Sequence, residues 1–195
     1  MPGSPVLDRF IPCPDARERF ETIVKAPAPA VLDVARTIDL QSLPLVRAIF
    51  RARERLMRVA PAEVPRRSDG LVAEMVSLGW GLLVDDPGHR VVLGARCQPW
   101  RGDVTFSAIR PEAFATYAEP DQVKIAWTLE VEWLGPARTR FVHETRVVAT
   151  DDEARRRFLR YWRWARFGIV TIRYLMMPAV RRRAEARWAE AGHAS

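Results

Sequence analysis

The stretch from Val123 to Trp133 constrains the fold most, because apolar and polar positions alternate along its whole length. A period of two is typical of a β-strand in an antiparallel sheet, with one face buried and the other in water. The apolar positions are Val123, Ile125, Trp127, Leu129, Val131 and Trp133. The positions between them are Lys124, Ala126, Thr128, Glu130 and Glu132. This stretch therefore predicts a long strand that lies with one face on a core.

A second alternating strand is predicted after the Gly135-Pro136 turn, over residues 140–149. One of its faces carries Phe141, His143, Thr145, Val147 and Ala149. Its other face carries Glu144 and Arg146, which we expect to meet Lys124, Glu130 and Glu132 across the strands as a solvated ladder of charges.

Further strands are predicted on the N-terminal side. Residues 80–94 predict a hairpin, because Pro87 and Gly88 suit the second and third positions of a type II turn. Residues 19–25 have the β-branched and alternating character of a first strand. Residues 104–109 and 113–117 are weaker strand candidates.

The longest predicted element is a C-terminal helix that runs to about Trp188, with a kink at Pro178. Thr150, Asp151, Asp152 and Glu153 form a capping-box pattern, with Thr150 as the N-cap. A sheet-facing stripe is predicted at helical spacing, and it contains Ala154, Phe158, Tyr161, Trp162, Ala165, Ile169, Ile172, Leu175, Met176 and Ala179.

Two helices are predicted at residues 29–38 and 43–59, and a further short helix at residues 71–78. The order of the main elements is then one strand, two helices, a run of antiparallel strands and a long helix, which indicates an α+β fold. The length of 195 residues suits one domain. We expect an extended arm over residues 1–18, the domain over residues 19–190 and a short tail over residues 191–195.

Composition excludes several classes of function. Two cysteines and three scattered histidines give neither a disulfide framework nor metal-ligand spacing, so no metal or other cofactor is predicted. The N-terminus lacks a signal-peptide core, and the most apolar late stretch, residues 167–180, is too short to span a bilayer. We therefore expect a cytoplasmic protein. The net charge of +7 comes from arginines interleaved with 24 acidic residues, which argues against nucleic acid as the partner.

Several segments together resemble the SRPBCC superfamily, and more narrowly the bacterial polyketide cyclase/dehydrase-like, START-related proteins that have no defined activity. The resemblance covers about residues 20–188. It rests on APAPAVLDVARTIDL (26–40), VRAIFRAR (46–53), GWGLLVDDPGHRVVLG (79–94), FVHETRVVATDDEARRRFLRYWR (141–163) and IRYLMMPAVRRRAE (172–185). The segment from 141 to 163 is the most specific of these.

This resemblance implies a helix-grip (START/Bet v 1-like) fold, in which a curved antiparallel sheet wraps round the C-terminal helix and leaves an apolar cavity. Many members of the superfamily bind lipids, steroids or polyketides, and some catalyse cyclisation or dehydration. Our first hypothesis is therefore a domain that binds or carries a lipid, isoprenoid or polyketide-like molecule. The candidate ligand-binding residues are Trp127, His143, Thr145, Tyr161 and Trp162.

Two other hypotheses remain open. In the second, the domain is a cyclase or dehydratase in which His143, with Tyr161, moves protons on the ligand. In the third, the second face of the C-terminal helix rests on an anionic membrane or on another copy of the chain. This face contains Leu159, Phe167, Val170, Tyr174 and Met177, with Arg156, Arg160, Arg163, Arg166 and Arg173 on or beside it.

Each of these features also has a purely structural interpretation. His143 is then a hydrogen-bonded core histidine, and the tryptophans are core packing that fills the cavity. The second face of the C-terminal helix is then covered by the N-terminal arm or by the helix predicted at residues 43–59.

Overall fold

The computed structural model describes residues 3–39 and 70–193. Within these ranges, five strands form one curved antiparallel sheet in the order β1-β5-β4-β3-β2. The strands are β1 (Ala16–Val24), β2 (Gly81–Asp86), β3 (Arg90–Cys97), β4 (Val123–Gly135) and β5 (Arg138–Ala149). The helices are α1 (Pro5–Asp8), α2 (Ala28–Thr37), α3 (Leu71–Ser77), α4 (Pro111–Phe114) and α5 (Asp152–His193). The predicted α+β class, with an antiparallel sheet and a long C-terminal helix against it, is confirmed.

The register of β4 and β5 follows the alternation seen in the sequence. Trp127 pairs with Thr145 and Leu129 with His143, so these four residues share the face of the sheet that we call the inner face. The inner face packs against α2 and α5 in the largest apolar core, which includes Leu93, Leu129, Phe141 and Met176. Trp133 is an exception to the predicted burial, since it lies near the end of β4 and is 67% exposed.

The β2–β3 hairpin turns as the sequence predicts. Gly88 has a φ of +80°, which is the left-handed conformation that a type II turn needs at its third position. The amide of His89 donates a hydrogen bond to the carbonyl oxygen of Asp86 at 3.0 Å and closes the turn.

The start of α5 differs from the prediction by one residue. The N-cap is Asp151, whose carboxylate accepts a hydrogen bond from the amide of Ala154 at 2.8 Å. Thr150 instead exchanges hydrogen bonds with the backbone of Gln122. The helix then continues through Pro178.

Other predicted boundaries also change. β1 begins at Ala16, three residues before the predicted strand. Residues 104–109 form only an isolated bridge, between Ser107 and Arg96, and residues 111–114 form a helix rather than part of a strand. The helix predicted at residues 43–59 lies outside the described residues.

The N-terminal arm covers the outer face of the sheet. It contains the short helix α1 and is not extended throughout. Four apolar residues pack it down onto Val92, Ala126 and Phe114, and these are Val6, Leu7, Phe10 and Ile11. The outer face is therefore not a solvated ladder, and that prediction is wrong.

The charges beneath the arm form a buried ionic cluster. Glu144 is fully buried and accepts hydrogen bonds from Arg146 Nε at 2.8 Å, from the Ser4 amide at 2.9 Å and from Arg19 Nη1 at 3.1 Å. Burial alone would raise the pKa of Glu144, but these hydrogen bonds outweigh burial and leave the pKa below its ordinary value. Arg146 in turn reaches Asp8 and the carbonyl oxygen of Ile11, at 2.6 and 2.8 Å, so the cluster ties the arm to the sheet.

Candidate functional site

The sheet-facing side of α5 is buried at both ends and only half-buried in the middle. Phe158, Tyr161 and Ala165 are buried at the N-terminal end, and Met176 and Val180 are buried at the C-terminal end. Between them, Gly168, Ile169, Ile172 and Arg173 are only half-buried. The cavity between this part of α5 and the sheet is about 10 Å³. That volume admits about one water molecule.

His143 lies on the inner face and is fully buried. Its Nδ1 is 2.9 Å from the carbonyl oxygen of Thr128, and because a carbonyl only accepts, Nδ1 carries the hydrogen. Nε2 is then the acceptor, and the hydroxyl of Thr145 donates to it at 3.3 Å. Burial, together with the charge of Arg173, holds the pKa of His143 well below its ordinary value, so the ring is neutral at pH 7.

The aromatic candidates divide between two cores. The ring of Trp127 packs in the main core, 6.2 Å from the ring of Trp80 and 5.6 Å from the imidazole of His143. Tyr161 and Trp162 belong to a second core at the start of α5, where Trp162 packs on Phe158 at 5.6 Å and Tyr161 packs edge-on to Trp164 at 4.9 Å. Thr145 and Trp162 both line the 10 Å³ cavity. The structure thus brings His143, Thr145 and Trp127 into contact and places Tyr161 in a different cluster.

Arg173 is the residue of this region that the sequence did not predict. It was assigned to the outer side of α5, but it lines the cavity together with Thr145 and Trp162. Its Nε is buried and lacks a hydrogen-bond partner. Burial lowers the pKa of Arg173 to about 10, which still leaves the guanidinium charged at pH 7. The sequence does contain a signal of this inward position, since Arg173 is the single charge in the apolar stretch from Phe167 to Val180.

The opposite side of α5 is exposed to solvent. We call this side the basic-aromatic face. It consists of Arg156, Leu159, Arg160, Arg163, Phe167, Val170 and Tyr174, of which Val170 is half-buried and the others are exposed. Phe167 is 72% exposed and Tyr174 is 67% exposed, although the ring of Tyr174 also touches Phe20 edge-on at 5.3 Å. The N-terminal arm lies on the sheet and not on this face. Met177 was predicted to belong to it but is buried.

The charge on this part of α5 is entirely positive. Residues 154–184 contain ten arginines and no aspartate or glutamate. The arginines nearest the start of α5 are neutralised, for example by pairs from Arg155 to Asp15 and from Arg157 to Glu153. Farther along, Arg160 and Arg163 form no ion pair with any described residue. The basic-aromatic face therefore combines uncompensated positive charge with exposed apolar side chains.

Two further findings concern the part of the chain that the structure describes. No three histidine, cysteine, aspartate or glutamate side chains there lie close enough together to hold a metal ion. No helix there has both the length and the apolar character needed to cross a membrane.

Comparison with known proteins finds structural neighbours of low similarity. No protein-family model and no curated protein matches the chain. The hypothetical protein jhp0584 from Helicobacter pylori has a TM-score of 0.42 and 10% sequence identity, over 91% of this chain and 93% of its own. DR_A0006 from Deinococcus radiodurans has a TM-score of 0.32 and 16% identity, over 78% of this chain and 99% of its own. Similarity at this level carries no argument about function, and the resemblance to the SRPBCC superfamily stays a proposal.

Proposed function

We propose that this protein associates with anionic membrane surfaces through the basic-aromatic face of α5. The observation that carries the proposal is the coincidence, on one exposed face, of unpaired arginines and exposed aromatic rings. Arginines attract anionic lipid headgroups, at roughly 1 kcal/mol for each basic residue near the surface. Aromatic and aliphatic side chains favour the boundary between headgroups and acyl chains.

The positive charge of this face favours an anionic membrane over a second copy of the chain as its partner. A second copy of the chain would bring two sets of arginines together, and such like-charge contacts are unfavourable. An anionic bilayer instead offers many negative charges along the length of the helix. From Arg156 to Tyr174 the face is on the order of 27 Å long, at ~1.5 Å per residue. This length allows several arginines to reach headgroups at the same time.

Vesicle co-sedimentation tests this proposal. The protein should bind vesicles of phosphatidylcholine with phosphatidylglycerol, should bind pure phosphatidylcholine much less, and should dissociate as salt rises to about 0.15 M and beyond. The double variant Arg160→Gln/Arg163→Gln should bind about 30-fold more weakly, since two basic residues contribute roughly 2 kcal/mol.

The matched control is Arg101→Gln/Arg138→Gln, which removes the same charge from exposed positions outside α5. Equal losses in both double variants would show that only net charge matters and would contradict a specific face. Tighter binding to an oligonucleotide than to the vesicles would indicate nucleic acid as the partner and would also contradict the proposal.

A second candidate function is the binding of an amphipathic small molecule between the sheet and α5. The half-buried middle of α5 supports this candidate, because Arg173 there forms no ion pair with any described residue. The same interpretation assigns the chain to the helix-grip fold, which the strand order and the long helix against the inner face support. Because the cavity is about 10 Å³, a ligand of this kind enters only if the middle of α5 moves away from β1 and β5.

A further inference from the structure

Arg173 is a half-buried cation that forms no ion pair with any described residue, and its Nε atom is fully buried. Its Nε makes no hydrogen bond, and no carboxylate among the described residues forms an ion pair with it. An unpaired charge that is partly removed from water costs free energy, and proteins normally compensate it with an opposite charge or with hydrogen bonds. The residues around Arg173 do not supply that compensation.

The nearest groups are either neutral or already engaged. His143 is neutral, and both of its ring nitrogens have partners, in Thr128 and Thr145. Glu18 also lines the cavity, and its carboxylate forms an ion pair with Arg166 at 3.7 Å. The cavity lining thus carries two arginines, Arg17 and Arg173, and one carboxylate, Glu18, which forms no ion pair with Arg173.

Four of the eight residues that line the cavity are apolar. Trp162, Ile169 and Val147 line it together with Ala16, and its lining is otherwise formed by Arg17, Glu18, Thr145 and Arg173. We propose that Arg173 binds the carboxylate of an amphipathic monocarboxylic acid, whose apolar chain packs against Trp162 and Ile169. This inference rests on the second candidate function and specifies the ligand class for it.

The test is isothermal titration of the protein in solution, without vesicles, with decanoate, decanol and acetate. Wild-type protein should bind decanoate about tenfold more tightly than decanol, because a hydrogen bond to a charged group adds affinity of that order. Acetate should bind far more weakly than decanoate, since it lacks the apolar chain. Arg173→Met should remove the preference for decanoate over decanol and leave decanol binding unchanged.

Two controls separate binding from folding. Arg163→Met, on the exposed side of the same helix, should keep the preference for decanoate. Arg173→Met should not lower the urea midpoint of the ligand-free protein, since it removes a charge that has no partner. A residue needed only for structure would lower that midpoint.

The outcomes are distinguishable. Equal binding of decanoate and decanol, or a preference that survives in Arg173→Met, would overturn the assignment of Arg173 and leave the second candidate function standing. Acetate binding as tight as decanoate binding would indicate a simple anion site and would overturn the amphipathic ligand. Absence of binding by both ten-carbon probes would overturn the inference and the second candidate function together.

Discussion

The substitution Glu144→Gln tests the interpretation of the outer face as a buried ionic cluster. The carboxylate of Glu144 is fully buried and accepts hydrogen bonds from Arg146, Arg19 and the Ser4 amide. Glutamine keeps one carbonyl oxygen but turns an NH₂ group toward these cationic donors. Breaking a buried pair on one side costs roughly 3–5 kcal/mol, because the remaining charge stays buried and uncompensated. We expect a loss of that order in the free energy of unfolding at pH 7.

Glu132→Gln is the matched control. Glu132, on β4, lies on the same face of the sheet as Glu144. It pairs with Arg140 at 2.6 Å, but its side chain is 56% exposed. An exposed pair contributes about 0–1 kcal/mol. Urea unfolding followed by tryptophan fluorescence gives both free energies from the midpoint and the slope. Losses within about 1 kcal/mol of each other would refute the argument from burial.

The pH dependence gives an independent check on the same residue. Because the pKa of Glu144 is lowered in the folded protein, its carboxylate stabilises the fold above the unfolded value of 4.5, and this stabilisation is lost as pH falls through the folded value. The Glu144→Gln variant should therefore lose less stability than the wild type on acidification below pH 4.5. The double variant Glu144→Leu/Arg146→Met should cost less than Glu144→Gln alone, because it leaves neither member of the pair buried without the other.

Two further predictions concern the arm and the inner face. Leu7→Ala should reduce the free energy of unfolding by about 2–5 kcal/mol, since Leu7 is fully buried against the sheet, and a loss below about 1 kcal/mol would show that the arm does not contribute to the core. His143 is neutral when folded and has a pKa well below 6.5, so the unfolded chain takes up the extra proton below pH 6.5 and stability falls by up to about 1.4 kcal/mol per pH unit. His143→Gln should make the free energy of unfolding depend less on pH between pH 6.5 and about pH 5. An unchanged pH dependence would contradict the conclusion that His143 is neutral in the folded protein.

The sequence predicts the sheet and the long helix because both follow from periodicity. The alternation along β4 and β5 fixes which residues share a face, and His143 and Thr145 are therefore found together on the inner face. Turn chemistry is equally local, so Pro87 and Gly88 identify the β2–β3 turn. These patterns depend on neighbours in the chain and need no knowledge of the tertiary structure.

The covered outer face could not be predicted in the same way. Lys124 on β4 shares one face of the sheet with Glu144 and Arg146 on β5. Such a row of charges is compatible with solvent or with a buried cluster, and only the arm decides between them. The apolar residues Leu7 and Ile11 in the arm were the available signal. Their partners lie more than 70 residues away along the chain, so local periodicity does not reveal them.

The position of Arg173 shows a similar limit. It lies at the edge of the apolar stripe of α5, where a long side chain can turn either toward water or toward the sheet. Helical periodicity assigned it to the outside, and tertiary packing turns it toward the cavity. Phe167 and Tyr174 lie well inside the opposite face, and their predicted positions agree with their exposure.

The most direct test of the proposed membrane association is a fluorescence measurement with a dye attached to the basic-aromatic face itself. An environment-sensitive dye such as NBD can be attached at Phe167→Cys in a background where the exposed Cys13 is changed to serine. A matched label at Val76→Cys, on the exposed part of α3, serves as the reference. The account predicts a blue shift and an increase in emission at position 167 when vesicles containing phosphatidylglycerol are added, with no change at position 76. Equal changes at both positions, or no change at position 167 while the protein sediments with the vesicles, would contradict it.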